Sequence, residues 1–153
     1  MTRNNILKLV GVITLVVLLV GYFFWKNNFS ENGQFNQIVI RRHVFKAEVI
    51  TTQEKKEKGL GGRKSICGDC GMLFVFDKAG KYAFWMKDMQ FALDILWIKD
   101  GKINFIEKNV QPSFPATMTP SENSNQVLEF NAGTVDRLGI IIGDEVLWTD
   151  SGN

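Results

Sequence analysis

Hydrophobic residues divide the chain into two parts with different patterns. Residues Leu9 to Trp25 form one uncharged apolar run, whereas from residue 37 onward apolar and polar residues alternate over short stretches. An uncharged run of about 17 or more residues is typical of a membrane-spanning helix, and alternation with period two is typical of half-buried β-strands. The pattern predicts an N-terminal anchor followed by a mainly β domain.

The apolar run is expected to cross the lipid bilayer. We take its bounds as Ile6–Trp25, because Lys8 can place its ammonium among lipid headgroups. Its aromatic end, Tyr22–Trp25, followed by Lys26, is typical of a membrane interface. A cleaved signal peptide would need a shorter apolar core and small residues at the cleavage site, and a buried core helix would need a larger domain to cover it. Because Arg3 and Lys8 precede the span and only Lys26 directly follows it, we expect a cytoplasmic N-terminus and a periplasmic or extracellular domain.

We expect three segments: a transmembrane anchor over residues 1–26, a polar linker over 27–36 and a globular β domain over 37–153. Many short strands with one short helix predict a single compact β-barrel or sandwich. Strands are expected at Arg42–Ile50, Met72–Phe76, Tyr82–Met86, Leu93–Ile98, Ile103–Glu107, Val127–Asn131 and Glu145–Trp148.

Local turn and cap residues refine this outline. Thr51 and Glu54 form a capping-box pattern, which predicts a short helix that begins after Thr51 and ends at Gly59. Asp100-Gly101 predicts a two-residue hairpin between two strands. All three prolines fall between residues 109 and 126, which predicts a long loop.

Charge follows the same division. Arg3, Lys8 and Lys26 are three of the 18 basic residues and no acidic residue precedes Glu31, so from Asn27 onward 15 basic residues face 16 acidic ones. The basicity of the 153-residue chain therefore belongs to the flanks of the apolar run. No basic stripe interleaved with aromatics is present, so nucleic acid is not expected as a partner.

Short motifs recur through the globular part, from about Lys46 to Trp148. Their order and spacing resemble the family known as domain of unknown function 192. The resemblance implies a compact all-β barrel or sandwich with a short helix, in a family whose members are often exported or membrane-anchored. It implies no catalytic residue. The matching residues are Ala47 with Thr51, Gly59-Leu60-x-x-Arg63, Gly71-Met72-Leu73-Phe74-Val75-Phe76, Phe84-Trp85-Met86-Lys87, Leu93-Asp94, Asp100-Gly101, Val127-Leu128-Glu129-x-Asn131-Ala132-Gly133 and Gly143-Asp144.

The chain departs from the family pattern at two places. It has Gly59-Leu60-Gly61-Gly62-Arg63 where the family usually has Gly-Leu-Met-x-Arg. It has Asp88 after Trp85-Met86-Lys87 where the family usually has Asn. A carboxylate in place of an amide adds charge beside Lys87, so the specificity of a site there is expected to differ.

Polar residues inside these apolar motifs are the candidate site. A buried charge needs a partner or an opening to water, because burying it alone costs several kcal/mol, roughly. One hypothesis is a pocket floored by Trp85 and Met86 that takes a small polar or glycan ligand. The other is a structural ion network, in which Arg63 pairs with Asp94 or Glu129. The candidate pocket residues are Arg63, Trp85, Lys87, Asp88, Asp94, Glu129 and Asn131.

Cys67 and Cys70 are the only cysteines and stand in C-x-x-C spacing. A thioredoxin-type motif would precede a helix, whereas here Gly71 and a strand follow. A structural zinc site would need two more ligands, and His43, expected on the surface or at a strand edge, is the only histidine. We therefore expect a local disulfide between Cys67 and Cys70, with no metal and no cofactor.

The sequence leads to three functional hypotheses. The first is a membrane-anchored binding or accessory module at the cell envelope. The second is an envelope enzyme that acts on glycan or cell-wall material, since paired carboxylates can support glycoside hydrolysis, or that works through the cysteine pair. The third is a docking domain for a membrane complex, with the proline-bearing loop as its contact.

Overall fold

The computed structural model describes residues 35–149, which form a mainly β domain with two short helices. The expected mainly β fold is confirmed. The expected span at Ile6–Trp25 lies outside the described residues, and within them no helix is long and apolar enough to cross a membrane. The elements are β1 (Phe35–Ile40), β2 (His43–Ile50), α1 (Gln53–Lys58), β3 (Cys70–Gly80), β4 (Leu93–Lys99), β5 (Lys102–Val110), β6 (Ser124–Asn131), α2 (Thr134–Leu138) and β7 (Val146–Thr149).

The seven strands form one sheet in the order β5-β4-β6-β3-β2-β1-β7. Neighbouring strands are antiparallel except β2 and β3, which are parallel. Parallel neighbours need a crossover connection, and residues 51–69, which include α1, form it. The sheet curls into a half-open barrel, because the segment leading into β7 reaches the β5 edge. There the amide of Gly143 donates to the carbonyl of Ile103 at 2.7 Å, and that of Val146 donates to Gly101 at 2.8 Å.

The concave face of the sheet encloses the main hydrophobic core. Every strand contributes to it, because successive side chains of a strand point to opposite faces and one set from each strand points inward. Leu73, Leu96, Leu128 and Phe130 are fully buried there, and the ring of Phe45 lies 4.4 Å from that of Phe130, centroid to centroid.

The convex face carries a second buried cluster, which positions the candidate site. The alternate residues of β3, β4 and β6 point outward, among them Met72, Phe74, Trp97 and Val127, and are packed by Leu60 and other residues of the connecting segments. Strand β4 is buried over Leu93–Ile98 because it has a cluster on each face.

The hairpin prediction is confirmed. Strands β4 and β5 are antiparallel, and Asp100 and Gly101 between them both have positive φ, of 51° and 76°. Positive φ at both central residues is what a type I′ hairpin turn requires.

Other local predictions were wrong. Tyr82–Met86 is not a strand: it makes a single bridge, between Phe84 and Met118, and otherwise runs as an irregular segment across the convex face. Helix α1 begins at Gln53 after Thr52, one residue later than predicted, and Thr52 makes no side-chain capping bond. Strand β1 begins at Phe35, so the last two residues of the expected linker pair with β2.

Candidate functional site

A cavity of about 560 Å³ opens on the convex face, where α1, the residues that follow it, the end of β3 and residues 82–89 meet. Aromatic side chains form its wall, and Glu129 of β6 lies at its inner end. The wall residues are Phe74, Phe76, Tyr82, Phe84 and Trp85.

Ring contacts hold the wall against the convex cluster. The rings of Phe76 and Tyr82 stack with centroids 3.5 Å apart, and the edge-to-face pair of Phe74 and Phe84 has centroids 4.9 Å apart. Indole Nε1 of the buried Trp97 donates a hydrogen bond of 2.8 Å to the Tyr82 carbonyl. This bond ties the irregular segment, which lacks a strand partner along most of its length, to β4.

Glu129 is the unusual residue of the cavity. It points to the convex face because its neighbours Leu128 and Phe130 point into the main core. In the sheet it lies between Met72 of β3 and Ile95 of β4, neither of which offers a polar group. Only 4% of the residue is exposed, and its Oε2 has no hydrogen-bond partner. Burial raises the pKa of Glu129 to about 8, because the apolar surroundings disfavour the charged form.

Lysines lie over two rings of the wall. Nζ of Lys87 is 5.3 Å from the ring centroid of Trp85, and Nζ of Lys56 is 4.5 Å from that of Phe76. Both distances fall within the range of cation–π contacts. Trp85 is 53% exposed, so one part of its ring remains open to solvent at the mouth of the cavity.

The structure therefore brings together Trp85, Lys87 and Glu129 of the predicted pocket residues. Met86 is not its floor, because its side chain packs into the convex cluster. The other four predicted residues do not line this cavity and make structural contacts elsewhere.

Asp94 binds backbone. Its Oδ1 accepts a hydrogen bond from the amide of Asn109, and its Oδ2 accepts one from the amide of Val135, each at 2.8 Å. Asn109 has a positive φ of 53°, and Val135 lies in the first turn of α2. The carboxylate thus joins β5 and α2 to β4, and it lies on the opposite face of the sheet from Glu129.

Arg63 has an ion-pair partner that the sequence did not predict. Its guanidinium makes a bidentate ion pair with Glu48, in which Nη1 contacts Oε1 and Nη2 donates to Oε2 at 2.8 Å. Glu48 lies on β2, so this pair fastens the segment after α1 to the sheet. The expected structural role of Arg63 is therefore present with a different partner, because the crossover places residue 63 over β2.

Asp88 and Asn131 shape loops. Asp88 has a φ of +57°, a region that Asn and Asp adopt more readily than most residues, and its carbonyl accepts the amide of Gly62 at 2.9 Å. The Asn-to-Asp departure therefore falls on a turn residue that does not line the cavity. Nδ2 of Asn131 donates to the carbonyls of Ile66 and Cys67 at 3.3 and 3.0 Å, which holds the cysteine loop to β6.

Cys67 and Cys70 are joined by a disulfide bond in the structure, with Cα atoms 5.0 Å apart. The bond closes the loop that enters β3, away from the cavity. Within residues 35–149 no group of three His, Cys, Asp or Glu side chains is arranged to hold a metal ion.

Lys56, Phe76 and Tyr82 are cavity residues that sequence reasoning missed. The charge of Lys56 matches the dipole of a helix end, and Phe76 continues an apolar strand, so neither pattern indicates a site. The three aromatic residues within Tyr82–Trp85 were the available signal, but they also fit the strand that the pattern predicted there.

Comparisons with known proteins agree with the fold. The DUF192 family model, described as Uncharacterized ACR, matches residues 36–148. No curated protein matches the chain.

Two solved structures are similar over most of the chain. One, from Sinorhizobium meliloti 1021, is described as a proposed transcription regulator; it is 34% identical, with a TM-score of 0.72 over 74% of this chain and 92% of that one. The other, a protein of unknown function from Novosphingobium aromaticivorans DSM 12444, is 30% identical, with a TM-score of 0.74 over 78% of this chain and 89% of that one.

Proposed function

The chain belongs to the DUF192 family, and we propose that it is a membrane-anchored, extracytoplasmic module that binds a small polar or glycan ligand in the convex-face cavity. The family description names no activity, so the proposal rests on this chain's own residues. Glu129 carries it.

A carboxyl group with an unpartnered oxygen in apolar surroundings destabilises a fold, and replacing it with an apolar side chain would remove that cost. Glu129 stands at the inner end of a cavity large enough for a small molecule, where a ligand could supply the missing hydrogen bond. The aromatic wall offers flat apolar surface to a ring, and the half-exposed Trp85 lies where a ligand enters. A purely structural role gives no reason for the unpaired Oε2.

Two features support the proposed location. The apolar run Ile6–Trp25 with its charge asymmetry favours a single-pass anchor whose following domain lies outside the cytoplasm. The Cys67–Cys70 disulfide suits an oxidising compartment. Transcription regulation, the description attached to the Sinorhizobium relative, is not proposed here, because from Asn27 onward basic residues do not outnumber acidic ones.

Binding is tested on the full chain in nanodiscs, by following the indole N–H signal of Trp85 in heteronuclear NMR. Trp85→Phe identifies the signal among those of the four tryptophans. Titration with N-acetylglucosamine oligomers and with monosaccharides is expected to shift this signal in a saturable way. Glu129→Gln is expected to weaken the affinity for the ligand about tenfold, because an amide replaces the carboxyl group at the inner end of the cavity.

Glu122→Gln is the matched control, since Glu122 is exposed and does not line the cavity. An unchanged Trp85 signal throughout the panel, or equal affinities for both glutamine variants, would count against the proposal.

A glycan-cleaving enzyme is the second candidate, and the raised pKa of Glu129 is the observation that favours it. A carboxyl that stays protonated near neutral pH is suited to act as a general acid, as glycoside hydrolysis requires. The other cavity carboxylates are Glu57 and Asp77 at its rim. New reducing ends after incubation with peptidoglycan, absent with Glu129→Gln, would establish cleavage.

A further inference from the structure

Lysines outnumber carboxylates around the cavity mouth. Four lysines line the cavity, whereas Glu57 and Asp77 are the carboxylates at its rim. Glu57 also accepts a hydrogen bond of 2.9 Å from Nε2 of Gln53. In the part of the chain that the structure describes, none of the four lysines has a carboxylate partner. They are Lys56, Lys58, Lys78 and Lys87.

Two of these lysines are held in place. The contacts of Lys56 with the Phe76 ring and of Lys87 with the Trp85 ring place two ammonium groups over aromatic residues that line the same cavity. A ring face stabilises a cation but does not neutralise it. Both ammonium groups therefore retain the capacity to bind an anion.

The inner end of the cavity does not counter this charge at neutral pH. Because burial favours the protonated form of Glu129, its carboxyl group is neutral at that pH and its hydroxyl is available to donate a hydrogen bond. An organic ammonium ion would gain little from a neutral acid and would have to pass the lysines at the mouth.

We infer that the ligand is a small ring-bearing carboxylate. Its carboxylate lies at the mouth against Lys56 and Lys87, its ring lies along the aromatic wall, and an acceptor atom at its far end takes the hydrogen bond from Glu129. This inference rests on the proposed binding function. A sugar acid and an aromatic acid share this chemistry, so the test includes both.

The test compares probes of similar size that differ in charge, with the full chain in zwitterionic nanodiscs at pH 6.5. The aromatic set is 4-hydroxybenzoate, 4-hydroxybenzyl alcohol and 4-hydroxybenzylamine, and the sugar pair is glucuronate and glucose. We expect at least one acid to bind about tenfold more tightly than its neutral partner by the Trp85 signal, and the amine to bind most weakly.

Lysine variants locate the effect. Lys56→Met and Lys87→Met keep an unbranched side chain that reaches the ε position and remove the ammonium group. Each is expected to weaken acid binding about threefold to tenfold while binding of the neutral probe is unaffected. Lys99→Met is the control, because Lys99 is exposed on β4 and does not line the cavity.

The pH dependence supplies a second readout. Raising the pH from 6.5 to 9 is expected to ionise Glu129, which brings a negative charge to the cavity and weakens binding of the acids. The Glu129→Gln variant should lose less affinity for the acids over the same pH range. Neutral or amine probes that bind as tightly as the acids would overturn the carboxylate inference and leave the binding function standing. No saturable shift with any probe would overturn both.

Discussion

Two buried carboxyl groups on neighbouring strands have opposite roles because their hydrogen bonds differ. Asp94 accepts a backbone amide on each oxygen, so its charge is compensated where it is buried. Glu129, paired in the sheet with Met72 and Ile95, has no partner for Oε2. The first is a structural group, and the second has an unpartnered oxygen at the cavity, where we propose that a ligand binds.

Stability is expected to depend on pH through Glu129. Between the ordinary carboxyl pKa of 4.5 and about 8, the folded chain holds a proton that the unfolded chain has released. Stability therefore falls as pH rises through this window and then levels off, by an amount on the order of a few kcal/mol. Glu129→Gln should remove this component and be the more stable protein at pH 8, as measured by urea unfolding at pH 5 and pH 8.

Glu122→Gln should retain the pH dependence of the unmodified chain, since Glu122 is exposed. If the two variants show the same slope between pH 5 and pH 8, Glu129 is ionised in the folded protein at neutral pH.

Asp94→Asn is expected to lower the free energy of unfolding by about 2 kcal/mol. An amide has one acceptor oxygen, so either the Asn109 or the Val135 amide would face an NH₂ group. Urea unfolding measures the loss, and the Trp85 indole shift should stay unchanged. A stable variant with a displaced Trp85 signal would instead place Asp94 in the binding site.

At the scale of elements, β3 and β6 approach more closely than side chains would allow. A Cβ atom on Gly71 would lie 2.8 Å from Cε1 of Phe130 and 2.9 Å from the carbonyl oxygen of Glu129. Glycine at this position lets the Phe130 ring pack over the strand. Gly71 pairs with Phe130 in the sheet, and the next pair along these two strands is Met72 with Glu129, the buried residue of the cavity.

Gly71→Ala is therefore expected to lower the free energy of unfolding by about 1–3 kcal/mol, because the ring or the strand must move. Gly68→Ala is the matched control: no atom lies within 4 Å of the added Cβ, and its cost should stay below about 0.5 kcal/mol. Chemical denaturation compares the two variants. Equal stabilities would show that the Phe130 ring shifts at no cost.

At the scale of the whole molecule, curling of the sheet creates two environments. The concave face encloses the main core, and the convex face is left to be covered by the connecting segments. Those segments provide most of the residues that line the cavity. The candidate site therefore lies on the convex face of the sheet and outside the main core.

If Ile6–Trp25 is the membrane anchor that we propose, the full chain is expected to stay with the membrane pellet after carbonate extraction. Replacing Leu15 and Val16 with Asp should release it, because charge at the centre of a span opposes insertion. In intact cells or spheroplasts, an external protease should degrade the β domain. Release of the unmodified chain by carbonate would contradict the proposed anchor, and full protection from protease would contradict the proposed orientation.

The sequence by itself determined the class of the fold and several of its turns. Alternation along β2, the near-continuous apolar run of β4 and the Asp100-Gly101 turn are local signals, since strand period and turn dihedrals depend on neighbouring residues. The motifs from Ala47 to Asp144 also identified the family. Helix α2 was missed because its five residues carry too short a pattern.

Only the tertiary structure decided which polar residues share a site. Arg63, Asp94 and Glu129 looked alike in sequence, as charges within apolar motifs. The crossover carries Arg63 to Glu48, the strand pleat turns Asp94 and Glu129 to opposite faces, and the irregular segment brings Trp85 and Lys87 to the cavity. Pairing across a sheet joins residues far apart in the chain, and no local pattern records which of them meet.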